Sequence, residues 1–284
     1  MRHPLELIHA KLNINSETLF ASDLDREVLL NNLTQGLLDR GTDAHIGLSG
    51  PRYWLLPPAE LTDGVITGET HLIISEKIVR FYKDRQEKTT TIEDAVDQTY
   101  VFALDIKSEH MVLQIPRSIK PEKYFQIMAK LIEVKAANAK LEVGRLNITP
   151  FPRKLDRRYF MNVRVTSARF KLVAPNSPDH GAIRTLRQKL TKDRILNATI
   201  FVSGEDISPD GLISEGIDMA ESGYATYEIR GKEYNGQKFH INSESFFEKV
   251  VEDVDDEGNL STVLESKRKA AVRWLLRILQ KGLF

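Results

Sequence analysis

The 284-residue sequence contains no cysteine. Disulfide bonds, thiolate nucleophiles and zinc sites with sulfur ligands are therefore excluded. The sequence also lacks any run that approaches the ~20 apolar residues of a membrane-spanning helix, and its N-terminal residues lack the apolar core of a signal peptide. From these absences we predict a cytoplasmic protein without a membrane span.

Motifs that would identify a reaction are missing as well. No phosphate-binding GxxxxGK motif, no dinucleotide-binding GxGxxG motif and no GxSxG nucleophile motif occurs. The 7 histidines form no HxH or HExxH pair. The sequence therefore predicts no catalytic residue, no metal ligand and no cofactor, and it favours a binding protein over an enzyme.

Charge is abundant but sorted along the chain, although 40 basic residues balance 40 acidic ones. Residues 1–116 have a net charge of −7, residues 195–262 a net charge of −11, and residues 263–284 a net charge of +5. Residues 117–194 carry 19 basic and 6 acidic residues, which gives a net charge of +13. Such a basic block is typical of a surface that binds a polyanion. The alternative is that the basic and acidic segments contact one another within the monomer or across a dimer.

Hydrophobic periodicity predicts an α+β protein with two domains of mixed, mainly antiparallel sheet and flanking helices. The first is an acidic N-terminal domain at residues 1–149. Its predicted elements are a strand at Leu5–Ile14, a helix at Asp23–Arg40 capped by Ser22, short strands at Tyr53–Leu56, Gly64–Gly68, His71–Ile74 and Lys77–Tyr82, a hairpin of Tyr100–Ile106 with His110–Ile115, and a helix from Pro121 to about Ala139.

The prolines at positions 150 and 152 mark the predicted boundary, because proline restricts the preceding residue and removes a backbone donor. The second domain, residues 150–284, carries the basic segment. Its predicted elements are a strand at Asn162–Val173, a helix at Ala182–Leu190, a strand at Thr199–Ser203, a helix at Ser208–Ala220, a hairpin of Tyr224–Arg230 with Gly236–Ile241, and an amphipathic helix at Thr262–Lys281. We interpret the acidic tract Glu252–Glu257 as a solvated loop.

The most concentrated part of the basic block follows this boundary. Guanidinium groups bind phosphates with two N–H groups, and an exposed aromatic ring stacks on a base. The residues concerned are Arg153, Lys154, Arg157, Arg158, Tyr159 and Phe160. The alternative for the two aromatic residues is a place in the hydrophobic core.

Basic residues on other predicted elements extend this candidate surface. Arg184 and Arg187 are three residues apart on a predicted helix, and Lys269 and Arg273 are four apart on the C-terminal helix. The alternative for such helices is a solvated basic face above an apolar face packed on its own domain. The predicted nucleic-acid-binding residues are Arg153, Lys154, Arg157, Arg158, Tyr159, Arg164, Arg184, Arg187, Lys269 and Arg273.

A calcium loop is a poor fit to the acidic tract. Asp253, Asp255 and Glu257 match alternate ligand positions of an EF-hand loop. The position of the closing bidentate carboxylate, however, is Leu264, and Glu265 follows one residue too late. Calcium binding is therefore not expected.

A divergent nuclease is a further alternative. Hydrolytic nucleases often pair an Asp with a downstream Glu-x-Lys, and Asp210 with Glu228-Ile229-Arg230 is similar, with arginine in place of lysine. This chemistry requires both carboxylates to converge on a divalent metal ion.

The order of elements resembles that of the RexA-type phage-exclusion proteins. The resemblance rests on the hairpin and helix at Tyr100–Ala139, the strand Asn162–Val173, which is rich in Val, Arg and Lys, and the late hairpin at residues 224–240. It implies a two-domain, dimeric protein of phage or bacterial conflict that binds DNA or another protein. It transfers no catalytic residue.

The sequence therefore favours a non-enzymatic DNA-binding protein that contacts mainly phosphates, with duplex DNA preferred to single strands. One alternative is a scaffold or immunity-type protein whose charged segments bind a protein partner in a larger complex. The other is the metal-dependent nuclease. The two binding hypotheses differ in salt dependence, because phosphate contacts weaken steeply as counterions compete.

Overall fold

The computed structural model describes residues 2–15, 23–48, 52–83, 86–155, 157–173, 197–243, 247, 249–255 and 260–280. The predicted helix at 182–190, with Arg184 and Arg187, and the predicted cap Ser22 lie outside these residues. The described helices are α1 (Asp23–Leu38), α2 (Pro121–Asn138), α3 (Leu212–Glu221) and α4 (Leu260–Gln280). A short 3₁₀ helix spans Arg157–Asn162.

The described strands are β1 (Arg2–Asn15), β2 (Ala44–Gly47), β3 (Arg52–Leu56), β4 (Glu60–Thr62), β5 (Val65–Lys83), β6 (Gln86–Asp105), β7 (His110–Gln114), β8 (Arg145–Pro150), β9 (Val163–Val173), β10 (Asn197–Ile207), β11 (Ala225–Glu233), β12 (Lys238–Asn242) and β13 (Lys249–Asp255). They form two antiparallel sheets, so the predicted α+β class is confirmed. None of the described helices is long and apolar enough to cross a membrane.

The first sheet has the strand order β13-β1-β7-β6-β5-β3-β2. Strand β8 pairs with the second half of β1, and β4 pairs with β5. Helices α1 and α2 cover one side of the sheet, where Leu33 and Met128 are buried in the larger hydrophobic core. Helix α4 covers the other side and buries Trp274 and Leu275. Three layers therefore enclose strands that are apolar on both faces, which explains the continuous apolar sequence of β7.

The central hairpin is longer than the sequence predicts. The three short strands predicted between Gly64 and Tyr82 form the single strand β5, which pairs with β6 from Ile66 to Lys83. Gly68, a predicted strand end, lies inside β5. The ring of Phe102 occupies the space that a side chain at this position would need. The prediction of a short-stranded meander is therefore wrong, and the observed unit is one long two-stranded ribbon.

The second sheet has the strand order β10-β9-β11-β12. Helix α3 packs on one of its faces, against alternate residues of β9 and β11 that include Phe170 and Tyr227. Gly216 permits this close approach, since a Cβ atom there would lie 2.3 Å from the Phe170 ring. The helix therefore fixes which side of the sheet faces the core.

Sheet membership does not follow the predicted division at Pro150. The second sheet consists of residues after that proline, but β13 and α4 also lie after it and belong to the first sheet. The division into two domains stays a prediction. The acidic tract at 252–257, predicted as a loop, is a strand as far as Asp255, because β13 pairs with Arg2–Ile8 of β1.

Buried polar contacts join the two sheets. The Lys11 ammonium on β1 donates to the Tyr224 hydroxyl at 2.8 Å and lies over its ring. The Asn13 side-chain amide, two residues along, donates to the Gly223 carbonyl at 3.1 Å. Gly223 has a φ of +78°, and a Cβ atom there would lie 2.8 Å from that of Lys11. These contacts fix the start of β11 against β1.

A buried lysine closes the loop after α1. Lys135 on α2 is fully buried, and its ammonium donates to the carbonyls of Asp39, at 3.1 Å, and Thr42, at 2.6 Å. We expect Lys135→Met to lower the free energy of unfolding by about 1–3 kcal/mol, because two carbonyls lose their donor. Urea unfolding measures the loss. Lys130→Met, on the exposed face of the same helix, is the control and should cost less than about 1 kcal/mol; an equal effect of the two substitutions would contradict this role of Lys135.

Candidate functional site

The face of the second sheet opposite α3 carries polar and charged side chains. In β11, buried Tyr227 and Ile229 alternate with Glu228 and Arg230, which point to the other side. The strand register extends this alternation to the neighbouring strands. The side chains of this open face belong to Arg164, Ser167, Arg169 and Lys171 of β9, Thr199, Phe201 and Ser203 of β10, Thr226, Glu228, Arg230 and Lys232 of β11, and Lys238, His240 and Asn242 of β12.

Three cations lie side by side at one end of the open face. Arg164 pairs in register with Lys232, and Lys232 pairs in register with Lys238. All three side chains are exposed, and none of them forms an ion pair with the residues that the structure describes. We call these three residues the cationic row. Adjacent strands are about 4.8 Å apart, so the row places like charges directly opposite one another across three strands.

A carboxylate surrounded by cations occupies the centre of the open face. Glu228 accepts a hydrogen bond from Arg230, its Oε1 atom lies 3.0 Å from His240 Nε2, and its Oε2 atom lies 3.9 Å from Arg169 Nη1. The hydrogen bond from Arg230, followed by the charges of Arg230, His240 and Arg169, holds the pKa of Glu228 below its usual value. Glu228 is therefore ionised at neutral pH and orders the cations around it.

An exposed aromatic ring lies beside this cluster. Phe201 is 59% exposed, which is unusual for a phenylalanine in a sheet because its burial would stabilise the fold. The Arg169 guanidinium lies 5.8 Å from the centroid of the Phe201 ring. A cavity of about 180 Å³ adjoins both residues and is lined by Ser167, Arg169, Phe201, Glu228 and Arg230. Here an aromatic surface and guanidinium groups adjoin one concave space.

Strand pairing gathers these cations from segments of opposite net charge. Arg164, Arg169 and Lys171 come from the basic segment 117–194. Residues 195–262 have a net charge of −11, yet three of their four basic residues, Arg230, Lys232 and Lys238, lie on the same face. The acidic residues of that segment include Glu215, Asp218 and Glu221 of α3, on the other side of the sheet, and Glu205 and Asp206 near the irregular end of β10.

The residues predicted from the sequence are dispersed. Arg164 lies in the cationic row, whereas Arg153 and Lys154 are exposed in the segment after β8. Arg157 and Arg158 begin the 3₁₀ helix. Tyr159 is half-buried against Phe239 and donates from its hydroxyl to Glu233 Oε1 at 3.3 Å, which places it beside the core under the second sheet. Phe160 is buried in that core.

The predicted residues of the C-terminal helix belong to the first sheet. The apolar face of α4 is buried there, as the packing alternative proposes for amphipathic helices. Lys269 is exposed and pairs with Glu265 of the same helix at 2.6 Å. Arg273 is exposed. Two other helix cations are engaged with the first sheet, since Arg268 contacts Glu60 and Arg277 contacts Glu252.

The carboxylates of the two metal hypotheses are placed apart in the fold. Asp253 and Asp255 lie on strand β13, and Glu265 lies on α4. Asp210 follows the end of β10, whose last residue pairs with Val165 of β9. Glu228 pairs with Arg169, which is four residues further along β9. Among the described residues, no group of three or more His, Asp and Glu side chains could hold a metal ion.

The open-face residues that were not predicted from the sequence as binding residues include Phe201, Arg230, Lys232 and Lys238. A signal for three of them was present: basic residues at every second position of a strand share one face. Arg230 and Lys232 have this spacing, and Lys238 is followed by His240 two residues later. For Phe201 the sequence gives no signal, because a phenylalanine in a strand is typical of a core residue.

Comparison with known families supplies a match without a function. The sequence profile of the family described as Domain of unknown function (DUF4747) matches residues 59–269. The match spans most of β4 to α4 and includes the whole open face. The comparison with curated proteins gives no match.

Proposed function

We propose that this chain, which belongs to the DUF4747 family, binds nucleic acid through the open face of the second sheet, mainly by contacts to phosphate groups. The cationic row is the observation that carries the proposal. In water, two unit charges about 5 Å apart repel each other by roughly 0.8 kcal/mol, and like charges directly opposite on neighbouring strands destabilise a sheet. A polyanion bound to this face offsets that repulsion, because each of the three cations is attracted to its phosphates.

The arrangement suits the spaced charges of a nucleic-acid backbone. On β9, β11 and β12 the open face carries six basic residues, Arg164, Arg169, Lys171, Arg230, Lys232 and Lys238, against the single carboxylate of Glu228. From Arg164 to Lys171 the face extends over seven residues of β9, which is about 23 Å. Several successive phosphates of one strand therefore find a cation along it.

Phe201 favours single strands over the duplex predicted from the sequence. An exposed ring on a sheet gives unpaired bases a surface for stacking, and bases inside a duplex are not free to use it. The Arg169 guanidinium beside the ring adds a cation–π contact and a phosphate donor. Binding of this kind tolerates many sequences, because every base has a π face.

The chemistry of the site supports binding rather than cleavage. Glu228, the carboxylate at the centre of the open face, is held by Arg230, His240 and Arg169. Its role in this proposal is to hold the two arginines and the His240 ring in place. The phage-exclusion setting implied by the RexA-type resemblance stays a prediction, since the matched family has no assigned function.

Salt dependence tests the proposal. Fluorescence anisotropy of labelled oligothymidylate of 12 nucleotides should show saturable binding that weakens roughly 10²-fold between about 50 and 200 mM salt, as about five phosphate contacts on a single strand require. A duplex of the same length should bind more weakly. No binding at the lower salt would contradict the proposal, and binding independent of salt would indicate a neutral contact instead.

Glu228→Gln provides a test of opposite sign. The substitution removes the central negative charge while keeping an acceptor for Arg230, so we expect affinity for oligothymidylate to rise about five- to tenfold at ~50 mM salt. Glu252→Gln is the matched control, because Glu252 also pairs with an arginine but lies on β13 of the first sheet. Weaker binding of Glu228→Gln would contradict this expectation, because it would mean that the ordering of the arginines by the carboxylate outweighs its repulsion of phosphates.

A further inference from the structure

A groove continues the open face beyond the edge of the second sheet. Lys171 and Thr226, at the end of the open face opposite the cationic row, line a cavity of about 230 Å³. The same two residues line a smaller cavity that reaches Arg169 and Glu228. The other wall of the larger cavity is formed by the first sheet and α2, through residues that include Phe125, Asn147 and Thr149.

The groove then passes along α2 and β8. Gln126 and Asn147 line both the 230 Å³ cavity and the next one, which has a volume of about 830 Å³. This last cavity is bounded by α2 and the start of β8 and ends beside Lys130 and Arg145. Because successive cavities share lining residues, neighbouring concave surfaces follow one another from Phe201 to Arg145.

Fixed contacts hold the walls of the groove in place. The bonds of Lys11 to Tyr224 and of Asn13 to Gly223 attach the second sheet to β1. Strand β8 is itself paired with β1 along residues 145–150. Both walls are thus attached to β1. Among the described residues, the groove does not depend on a movable loop.

The groove differs in chemistry from the open face. Its middle part carries the amides of Gln126 and Asn147, each of which can both donate and accept hydrogen bonds, and the carboxylate of Glu122 also lines it. At the far end, Glu133 forms an ion pair with Lys130 at 2.9 Å and accepts a hydrogen bond from the Leu146 backbone N–H at 2.8 Å. Arg145 is exposed there and forms no ion pair with the residues that the structure describes. The far end therefore offers a cation beyond a stretch that carries two amides and one carboxylate.

We propose that a single nucleic-acid strand leaves the open face at Lys171 and continues along this groove to Arg145. The inference rests on the proposed function and adds the path and polymer form of the ligand. The open face contacts phosphates and stacks a base on Phe201, the groove amides contact base edges, and Arg145 is the outermost phosphate contact. A duplex is disfavoured on this path, because its Watson–Crick base edges are already paired and cannot contact the groove amides.

Length dependence combined with one distant variant tests the path. Labelled oligothymidylates of 4, 8, 12 and 16 nucleotides are titrated into the full chain and into Arg145→Gln. We expect wild-type affinity to rise more than about 50-fold from 4 to 12 nucleotides, beyond the roughly ninefold gain from the greater number of registers. Arg145→Gln should weaken binding of the 12-mer about five- to tenfold and leave the 4-mer unchanged.

The control and the contrary outcomes are distinct. Arg40→Gln removes an exposed arginine after α1 that lines none of these cavities, and it should change no affinity. A gain with length no larger than the number of registers would overturn the inference, as would equal weakening of 4-mer and 12-mer by Arg145→Gln. Such results leave the open-face proposal standing, whereas failure of every oligonucleotide to bind overturns both.

Discussion

Neutralising the cationic row lowers affinity for single-stranded DNA about 10²-fold at ~50 mM salt and leaves the fold intact. The variant is Arg164→Gln, Lys232→Gln, Lys238→Gln, and the estimate follows from three lost phosphate contacts. The slope of log affinity against log salt should become shallower by about 2. At the same time the free energy of unfolding should stay within about 1 kcal/mol of wild type or rise, since like charges on adjacent strands are removed.

The opposite signs of the two effects make this variant informative. If the cationic row only kept the protein soluble, removing its charges would not lower the affinity for single-stranded DNA. Anisotropy titrations and urea unfolding supply the two readouts. Arg40→Gln, Lys107→Gln, Arg117→Gln is the control, because it removes three exposed cations outside the second sheet and its groove. Equal loss of affinity in both triple variants would indicate nonspecific charge attraction.

Acidification from pH 7 to pH 5 lowers the free energy of unfolding by about 3–4 kcal/mol through two buried histidines. His9 Nε2 lies 2.9 Å from His110 Nδ1, and the Phe151 ring stacks on His9 with centroids 4.0 Å apart. Burial is the main cause that lowers both pKa values, and the charge of Lys11 lowers them further. The pKa of His9 falls to about 2 and the pKa of His110 to about 4. Both rings are therefore neutral in the folded state at pH 5.

The direction of the effect follows from proton uptake. The ordinary histidine pKa is about 6.5, so below that pH the unfolded chain binds two protons that the folded chain does not. Stability is fully present above the unfolded pKa and is lost as the pH falls, by up to about 1.4 kcal/mol per pH unit for each histidine. Burial raises the pKa of Glu109 despite Arg26 beside it, so the titration of Glu109 acts in the direction opposite to that of the histidines.

Urea unfolding at pH 7, 6 and 5 measures this slope. His110→Gln keeps a hydrogen-bonding partner for His9 and removes one titrating group, so the loss between pH 7 and 5 should shrink by about 2 kcal/mol. His45→Gln is the control, because His45 is exposed at the edge of the first sheet. An unchanged slope in His110→Gln would mean that other groups cause the acid sensitivity.

Local pattern was enough to predict most elements. The helix at Pro121 has a proline in its first turn and an apolar face, and the structure begins α2 at that residue. Long-range pairing overrode local pattern at two places. The acidic residues after Lys249 continue a strand because β1 offers an unpaired edge. Gly68 lies within β5 because the strand pairs with β6 on both sides of it, where Gly68 is opposite Phe102.

The candidate site shows why charge counts along a chain are insufficient. The segment containing Lys232 and Lys238 is strongly acidic overall, so its net charge hides them. Pairing of β11 with β9 brings Lys232 beside Arg164, and pairing of β12 with β11 brings Lys238 beside Lys232, while α3 takes Glu215 to the other side of the sheet. Alternation within each strand and the pairing of β11 with β12 as a hairpin were visible in the sequence, but the pairing of β11 with β9 was not.

Crosslinking tests the central claim most directly. A 12-nucleotide oligothymidylate with 4-thiothymidine at its centre is irradiated with the wild-type protein, and the crosslinked peptides are identified by mass spectrometry. We predict crosslinks in strands β9 to β12, with Phe201 among the modified residues, and their loss in competition with unlabelled strand. Crosslinks confined to α4, at Lys269 or Arg273, or spread over the first sheet would contradict the assignment of the open face.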